Sequence, residues 1–327
     1  MHMADALVSP AVGGAMLATS AVLIGISARN VRKNFDNSKI PLMGVMGAFV
    51  FAMQMINFTI PGTGSSGHIA GGVMLAALLG SYPAFLVLSA VLVIQALLFA
   101  DGGLLAYGCN VFNMGFWSCF IAYPLVFKPI AKDFSNGGRI FAASILACVV
   151  GLQLGAFCVV LETLCSGITE LPFKTFVLFM QPIHLAIGAV EGVLTAMLVI
   201  FLKSARPELF AAENAAKSAP LKSVCAYLML ASLAIAGALS LLASEKPDGL
   251  EWSISKTAGK EELAASGGLY DFLEKIQAKL SVFPDYVVQS MGDSAASAVV
   301  AGLVGALIAA AAVVASAKIL RARRGER

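Results

Sequence analysis

The chain begins Met-His, and this dipeptide brings three nitrogen donors within reach of one ion: the Met1 α-amine, the His2 backbone nitrogen and the His2 imidazole. On a bound metal the two main-chain nitrogens close a five-membered chelate ring, and the imidazole closes a six-membered one. The backbone nitrogen ligates only after losing its proton, a step that divalent nickel or copper promotes in a planar nitrogen field, so the pattern points to Ni(II) or Cu(II). A planar set needs a fourth nitrogen. Only three histidines occur in 327 residues, and His68 ends the segment PGTGSSGH, whose glycines let the backbone approach another segment closely. Singly, each histidine reads more simply as a cap or a hydrogen-bonded structural residue; together, His2 and His68 read as ligands if the fold puts them on one side.

What must position them is a set of membrane helices. Hydrophobic residues make up 59% and charged residues 13% of the chain, and its mean hydropathy is +0.86, a membrane composition. A crossing needs about 20 apolar residues. Runs of that kind fall at about 11–28, 41–60, 69–99, 104–127, 140–165, 175–202, 222–243 and 295–318. The 69–99 run is too long for one span, and Ser81-Tyr82-Pro83 is a natural break, which gives nine transmembrane helices with a short third one.

Basic residues orient this array. Segments 29–39, 128–139, 203–222 and 318–327 hold 4, 3, 4 and 5 Lys or Arg, 16 of the 22 in the chain, and all four lie on one side of a nine-helix alternation. By the positive-inside rule that side is cytoplasmic, so the carboxyl terminus lies inside, and the amino terminus and His68 both lie outside. No basic n-region precedes the first apolar run, so the first residues are expected to be retained, with Met1 as the mature amino terminus.

The fold expected is all-α and polytopic: a seven-helix domain over 1–205, a charged, Ala-rich cytoplasmic linker over 206–221, and a two-helix module over 222–327. Residues 244–294, with nine acidic and five basic side chains, are expected to form a small exterior cap or hairpin.

Several function classes are disfavoured. The six cysteines form no C-x-x-C and sit mostly in apolar runs, which reads as packing and not as a zinc site or disulfide framework. No basic stripe with interleaved aromatics suggests nucleic-acid binding. No organic cofactor is expected, and no G-x-x-x-x-G-K-[ST] phosphate loop is present, so ATP hydrolysis, if used, belongs to other subunits. Gly64-Ser65-Ser66-Gly67 fits the G-x-S-G pattern of rhomboid-type intramembrane proteases with His184 as base, but that reading leaves Met-His unexplained. A stand-alone secondary metal carrier would bring internal repeats and charges along a midplane path, and neither is clear.

MHMADALVSP resembles the M-H-I-P-[DE]-G-x-x-S-P opening of the CbiM/NikM family, the substrate-binding S components of cobalt and nickel energy-coupling-factor transporters. The resemblance continues through INFTIPGTGSSGHIAGGVMLAALLGSYP, LVIQALLFADGGLLAYGCNVFNMGF and HLAIGAVEGVLTA, and so covers most of residues 1–202; PDGLEWSI at 247–254 resembles the PDGLE segment of the companion NikN-type subunit. It implies a seven-helix S component in the prokaryotic cell membrane. Its amino terminus tucks inward, and Met1, His2 and His68 hold Ni(II) or Co(II) as the transported substrate. It also implies partners: a transmembrane coupling (T) subunit and two cytoplasmic ATPases. Met3-Ala4 stands where Ile-Pro is usual, and Ala6 where Gly is common, which affects the turn after the site and leaves the ligand positions intact. Small residues in helix 1, Ala11/Ala15 and Gly14/Ala18, suit close contact with a partner helix.

Other polar residues are candidates for support. Gln54 and Asn57, just ahead of the glycine loop, are read as orienting His2 or His68. His184 and Glu191, seven residues apart, share one helix face, either as ligand-orienting groups or, more simply, as structural partners between helices. Asp101 reads as a helix cap and turn residue, and Asp248 and Glu251 either as groups that capture metal outside or, more simply, as a solvated turn.

Overall fold

A segment shielded from water must satisfy its own backbone N–H and C=O groups, which is why the long apolar runs form helices. The computed structural model describes residues 1–34, 36, 39–210, 220–260 and 263–322. In chain order come α1 (Pro10–Asn34), α2 (Ile40–Gln54), a hairpin of β1 (Phe58–Ile60) and β2 (Ser65–Gly67), α3 (Gly72–Leu79) and α4 (Ser81–Leu98). They are followed by α5 (Tyr107–Ala131), α6 (Gly137–Ser166), α7 (Phe173–Ala205) and α8 (Leu221–Gly237). Two short helices, α9 (Gly249–Ala258) and α10 (Gly268–Leu280), precede α11 (Ala295–Ala322). The middle of α5, Phe112–Phe127, is wound as a π-helix.

The molecule is an all-α polytopic membrane protein. Six helices, α1, α4, α5, α6, α7 and α11, are long and apolar enough to cross a bilayer, while α2 and α8 are apolar but shorter. All eight residues of α3 are buried. The break between α3 and α4 falls at Gly80, not at Ser81-Tyr82-Pro83: Gly80 takes a φ of +88°, which a glycine adopts without cost, and Pro83 sits in the first turn of α4, where no N–H is needed. Most of the expected cytoplasmic linker, 211–219, lies outside the described residues.

The core centres on α2 and α3. α2 is buried on nearly every side, between α4, α8 and α11, and α3 packs on α4 and α5. α6 runs along α7 and the π-helical stretch. Val22 and Ile26 of α1, Leu146 and Leu164 of α6, and Leu178, Met197 and Phe201 of α7 are exposed and form the lipid-facing surface. The polar segment between α8 and α11 folds back over one end of the bundle. Before α9, the Pro247 carbonyl accepts from Ser66 N (2.8 Å), and α9 lies against α7 and β2. In α10, Gln277 Nε2 donates to the carbonyls of Ala96 and Gly102 (both 2.8 Å).

The peptide after His68 is held by two polar residues of the core. Glu191 in α7 accepts from Ala70 N (2.7 Å) and Gly71 N (3.0 Å), and Gln54 at the end of α2 donates to the Ala70 carbonyl (2.9 Å). Removing this carboxylate leaves two buried N–H groups unpaired, at about 1–3 kcal/mol each. Glu191→Ala is therefore expected to lower the thermal midpoint of the detergent-solubilised protein by several degrees, with Glu191→Gln intermediate; equal midpoints for all three proteins would contradict this anchoring.

Candidate metal centre

The amino terminus is fixed by the chain immediately behind it. Met3 is fully buried; its N–H donates to Asn110 Oδ1 (2.7 Å), and its carbonyl accepts from Asn110 Nδ2 (3.1 Å) and Gly103 N (2.9 Å). Asp5 Oδ1 accepts from Ala106 N (2.9 Å) at the end of the 102–106 loop. Gly103 is required at this approach, because a Cβ there would collide with the Asp5 carboxylate and backbone nitrogen. α10 adds a further tie, from Tyr270 OH to the Val8 carbonyl (3.0 Å).

These ties leave Met1 buried with its amine directed at His68. Met1 N lies 2.7 Å from His68 Nε2 and 2.7 Å from Asp248 Oδ2. The His68 Nδ1 position lies 3.0 Å from the carbonyl of Ile69; with the proton on Nδ1, this bond turns the lone pair of Nε2 toward the amine. The His2 ring stacks on the His68 ring, with centroids 5.0 Å apart and planes inclined by 20°. His2 Nδ1 faces Asp101 Oδ1 at 3.2 Å, and its buried Nε2 has no hydrogen-bond partner. Chelation through a six-membered ring uses Nδ1, so it requires the imidazole to turn from Asp101 toward the amine. Among the described residues no three His, Cys, Asp or Glu side chains gather at one point; a metal here depends on main-chain nitrogens.

Beside these groups opens a cavity of about 610 Å³. Its lining includes six carboxylates, Asp5, Asp101, Asp248, Glu251, Glu274 and Asp285, and no Lys or Arg among the described residues. Burial lowers the His2 pKa from 6.5 to about 4, against the pull of Asp101, with the neighbouring His68 and Met1 amine lowering it further. Burial pushes the Asp248 carboxyl up, but the Met1 ammonium and the His68 ring outweigh it and hold the group well below the usual carboxylate range. Burial and the adjacent Asp101 carboxylate raise the Tyr286 hydroxyl well above its ordinary value.

The Met1 amine and His68 Nε2 thus meet, the His2 ring stacks beside them with Nδ1 turned to Asp101, and the other expected residues stand around them. Gln54 and Glu191 bond the backbone after His68, and neither side chain bonds a histidine. Asn57 lines the cavity with its side-chain oxygen unpaired, and its carbonyl accepts from Ser244 N (2.7 Å). The His184 Nδ1 position lies 2.8 Å from the Met180 carbonyl in its own helix, and its buried Nε2 has no partner. The Ser66 hydroxyl donates to the carbonyls of Lys246 (2.7 Å) and Pro247 (3.2 Å), leaving no bond to His184. The cysteines are all free, and Cys109, Cys119 and Cys148 are buried.

Two readings are corrected. Asp101 is not a helix cap: its carboxylate takes the Tyr286 hydroxyl on Oδ2 (2.6 Å) and faces His2 with Oδ1. Asp248 is not a solvated turn residue, because the amino terminus folds onto it. Three contributors were missed: Asn110, Tyr286, and Asp248 as the partner of the amine. Asn110 carried a signal, being a polar residue within an apolar run, whereas Tyr286 acts from a segment whose approach no local pattern announces.

The family model described as "Cobalt uptake substrate-specific transmembrane region", CbiM, matches residues 2–209, and that of the PDGLE domain matches 222–322. A putative fused nickel transport protein NikMN of Archaeoglobus fulgidus is 32% identical over 94% of this chain and 95% of its own length. The fused nickel transport protein NikMN of Rhodobacter capsulatus is 30% identical over 82% of this chain and 81% of its own. A crystal structure of a truncated transition metal transporter is 30% identical, with a TM-score of 0.55, over 62% of this chain and 99% of that one.

The electrostatics give a pH dependence for the metal-free protein. His2 has a folded pKa below its free value, so its contribution to stability is complete above about 6.5 and is lost as pH falls from there toward 4. Asp248 also has a depressed value, and its contribution is lost only below the ordinary carboxylate range, near 3.8. Thermal midpoints are thus expected to fall between pH 6.5 and 4, with a shallower slope in His2→Ala; identical slopes would show that His2 is not held neutral.

Proposed function

The chain is a member of the CbiM family of cobalt uptake transmembrane regions, extended by a PDGLE domain, and we propose that it is the metal-capturing subunit of an ATP-driven nickel or cobalt uptake transporter. The observation that carries this reading is the meeting of the Met1 amine and His68 Nε2 at 2.7 Å, with the His2 ring stacked alongside. Met1 N, His2 backbone N, His2 Nδ1 and His68 Nε2 are the four nitrogens of the proposed site. On capture the amine and the His2 amide lose protons and the His2 ring turns inward. This planar nitrogen set favours nickel over cobalt; relatives are named for transport of each metal.

In this reading residues 1–205 bind the ion, 206–221 link, and 222–327 form the fused second module. The amino terminus lies outside the cell membrane and the carboxyl terminus inside, as the loop charges suggest. The chain is not an enzyme: a transmembrane coupling subunit and two cytoplasmic ATPases supply the energy for release. The small residues Ala11, Gly14, Ala15 and Ala18 lie on an exposed face of α1 and suit close packing of a partner helix.

Two variants test the site. A four-residue extension ahead of Met1 removes the amine, and His68→Ala removes the fourth nitrogen; each is expected to weaken nickel binding by roughly a hundredfold, about 2.8 kcal/mol, and to abolish uptake in cells. Affinity is also expected to fall steadily as pH drops, because the ligands must release protons. Full nickel affinity in the extended protein would overturn the reading.

A further inference from the structure

We propose that Asp248 is an oxygen ligand to the transported ion, delivered to the nitrogen site by the C-terminal segment, and that it favours Co(II) retention over what nitrogens alone would give. The inference rests on the nitrogen site proposed above and deepens it.

The first support is geometric. Met1 N, His68 Nε2 and Asp248 Oδ2 form a triangle with sides of 2.7, 2.7 and 3.5 Å. Donors bound to one ion at about 2.0–2.1 Å stand roughly 2.9 Å apart at a right angle and roughly 3.4 Å apart at a tetrahedral angle. The 3.5 Å side is close to the tetrahedral spacing, and the two 2.7 Å hydrogen-bond contacts need to open by only about 0.2 Å to reach the right-angle one, so small shifts make the three atoms one face of a coordination polyhedron with the carboxylate oxygen as its third corner.

The second support is rigidity. Asp248 caps α9, its Oδ1 accepting from Leu250 N (2.8 Å) and Glu251 N (2.9 Å), while Glu251 Oε2 accepts from Asp248 N (2.9 Å). This leaves Oδ2 to face the amine. α9 is docked by Trp252 Nε1 donating to the Thr63 carbonyl (3.0 Å), and Gly249 packs so tightly on α7 that an added Cβ would lie 3.0 Å from Ile187. A ligand held in this way needs little reorganisation when the ion arrives.

The third support is charge. Before capture, a buried ammonium is balanced by a buried carboxylate. After capture, the amine is neutral and the His2 amide is anionic, so a divalent ion on nitrogens alone leaves one net positive charge. The Asp248 carboxylate restores neutrality without moving away; once the amine has given up its proton to bind the ion, a carboxylate that did not bind the ion too would be left buried without its counter-charge. Four planar nitrogens satisfy Ni(II); Co(II) has no such preference and gains from a further donor.

The test uses the full-length protein in detergent. Asp248→Asn keeps the α9 cap, since Asn caps as well as Asp, while removing the anionic oxygen; Asp248→Ser is a second capping variant too short to reach the ion. Calorimetric titration with Co(II) and Ni(II) salts is paired with the visible spectrum of the cobalt form. Both variants are expected to lose about 10- to 100-fold in Co(II) affinity and only a few-fold in Ni(II) affinity, with a changed cobalt d–d spectrum as the oxygen donor is lost. Unchanged Co(II) binding, or equal losses for both ions with an unchanged spectrum, overturns the proposal. The extension ahead of Met1 separates the two readings: if it still binds nickel fully, the nitrogen site itself is wrong, whereas its failure to bind beside indifferent Asp248 variants removes only the role of Asp248.

Discussion

A buried ammonium group governs the arrangement. Met1 is folded inward, and a cation removed from water needs a counter-charge within contact distance. That charge is the Asp248 carboxylate, 247 residues away in sequence and 2.7 Å away in space. The polar segment between α8 and α11 therefore has to fold over the bundle end where the chain starts. Its other contacts follow from that course: Ser66 to Pro247, Tyr286 to Asp101, and Gln277 to the carbonyls at the end of α4 and in the following loop.

The second histidine is supported differently. His68 follows β2 and precedes α3, and the peptides around it are clamped by Glu191 and Gln54 from inside the bundle. Ionisable groups at such depth are costly unless paired. Here the cost is offset by two backbone N–H groups that would otherwise be orphaned, and the stabilised peptide includes the residue next to the Ile69 carbonyl that sets the His68 tautomer. Core polarity thus acts on the ligand through the backbone.

The helices were legible because hydropathy alone states where a chain can lose water. The break before α4 was legible only to within a few residues, since Gly80 and Pro83 both interrupt helices and only the packed chain shows which one does. The pairing of His2 with His68 was legible once loop charges put both on one side. Asp248 was half legible: Asp248 and Glu251 form a capping box that local sequence announces, but the second carboxylate oxygen is spent on the amino terminus, which no local pattern encodes. Asp101 was misread for the same reason, its partners being the start of the chain and Tyr286 near the end. The seven-residue spacing of His184 and Glu191 placed both on one helix face without revealing that one serves its own helix and the other serves the loop of α3.

The most direct measurement is X-ray absorption at the nickel edge of the nickel-loaded, full-length protein with its native amino terminus. The account predicts nitrogen and oxygen neighbours only, with the multiple-scattering signature of two imidazole rings. Sulfur in the first coordination shell, from a cysteine or methionine, or the signature of no imidazole or only one, would contradict it.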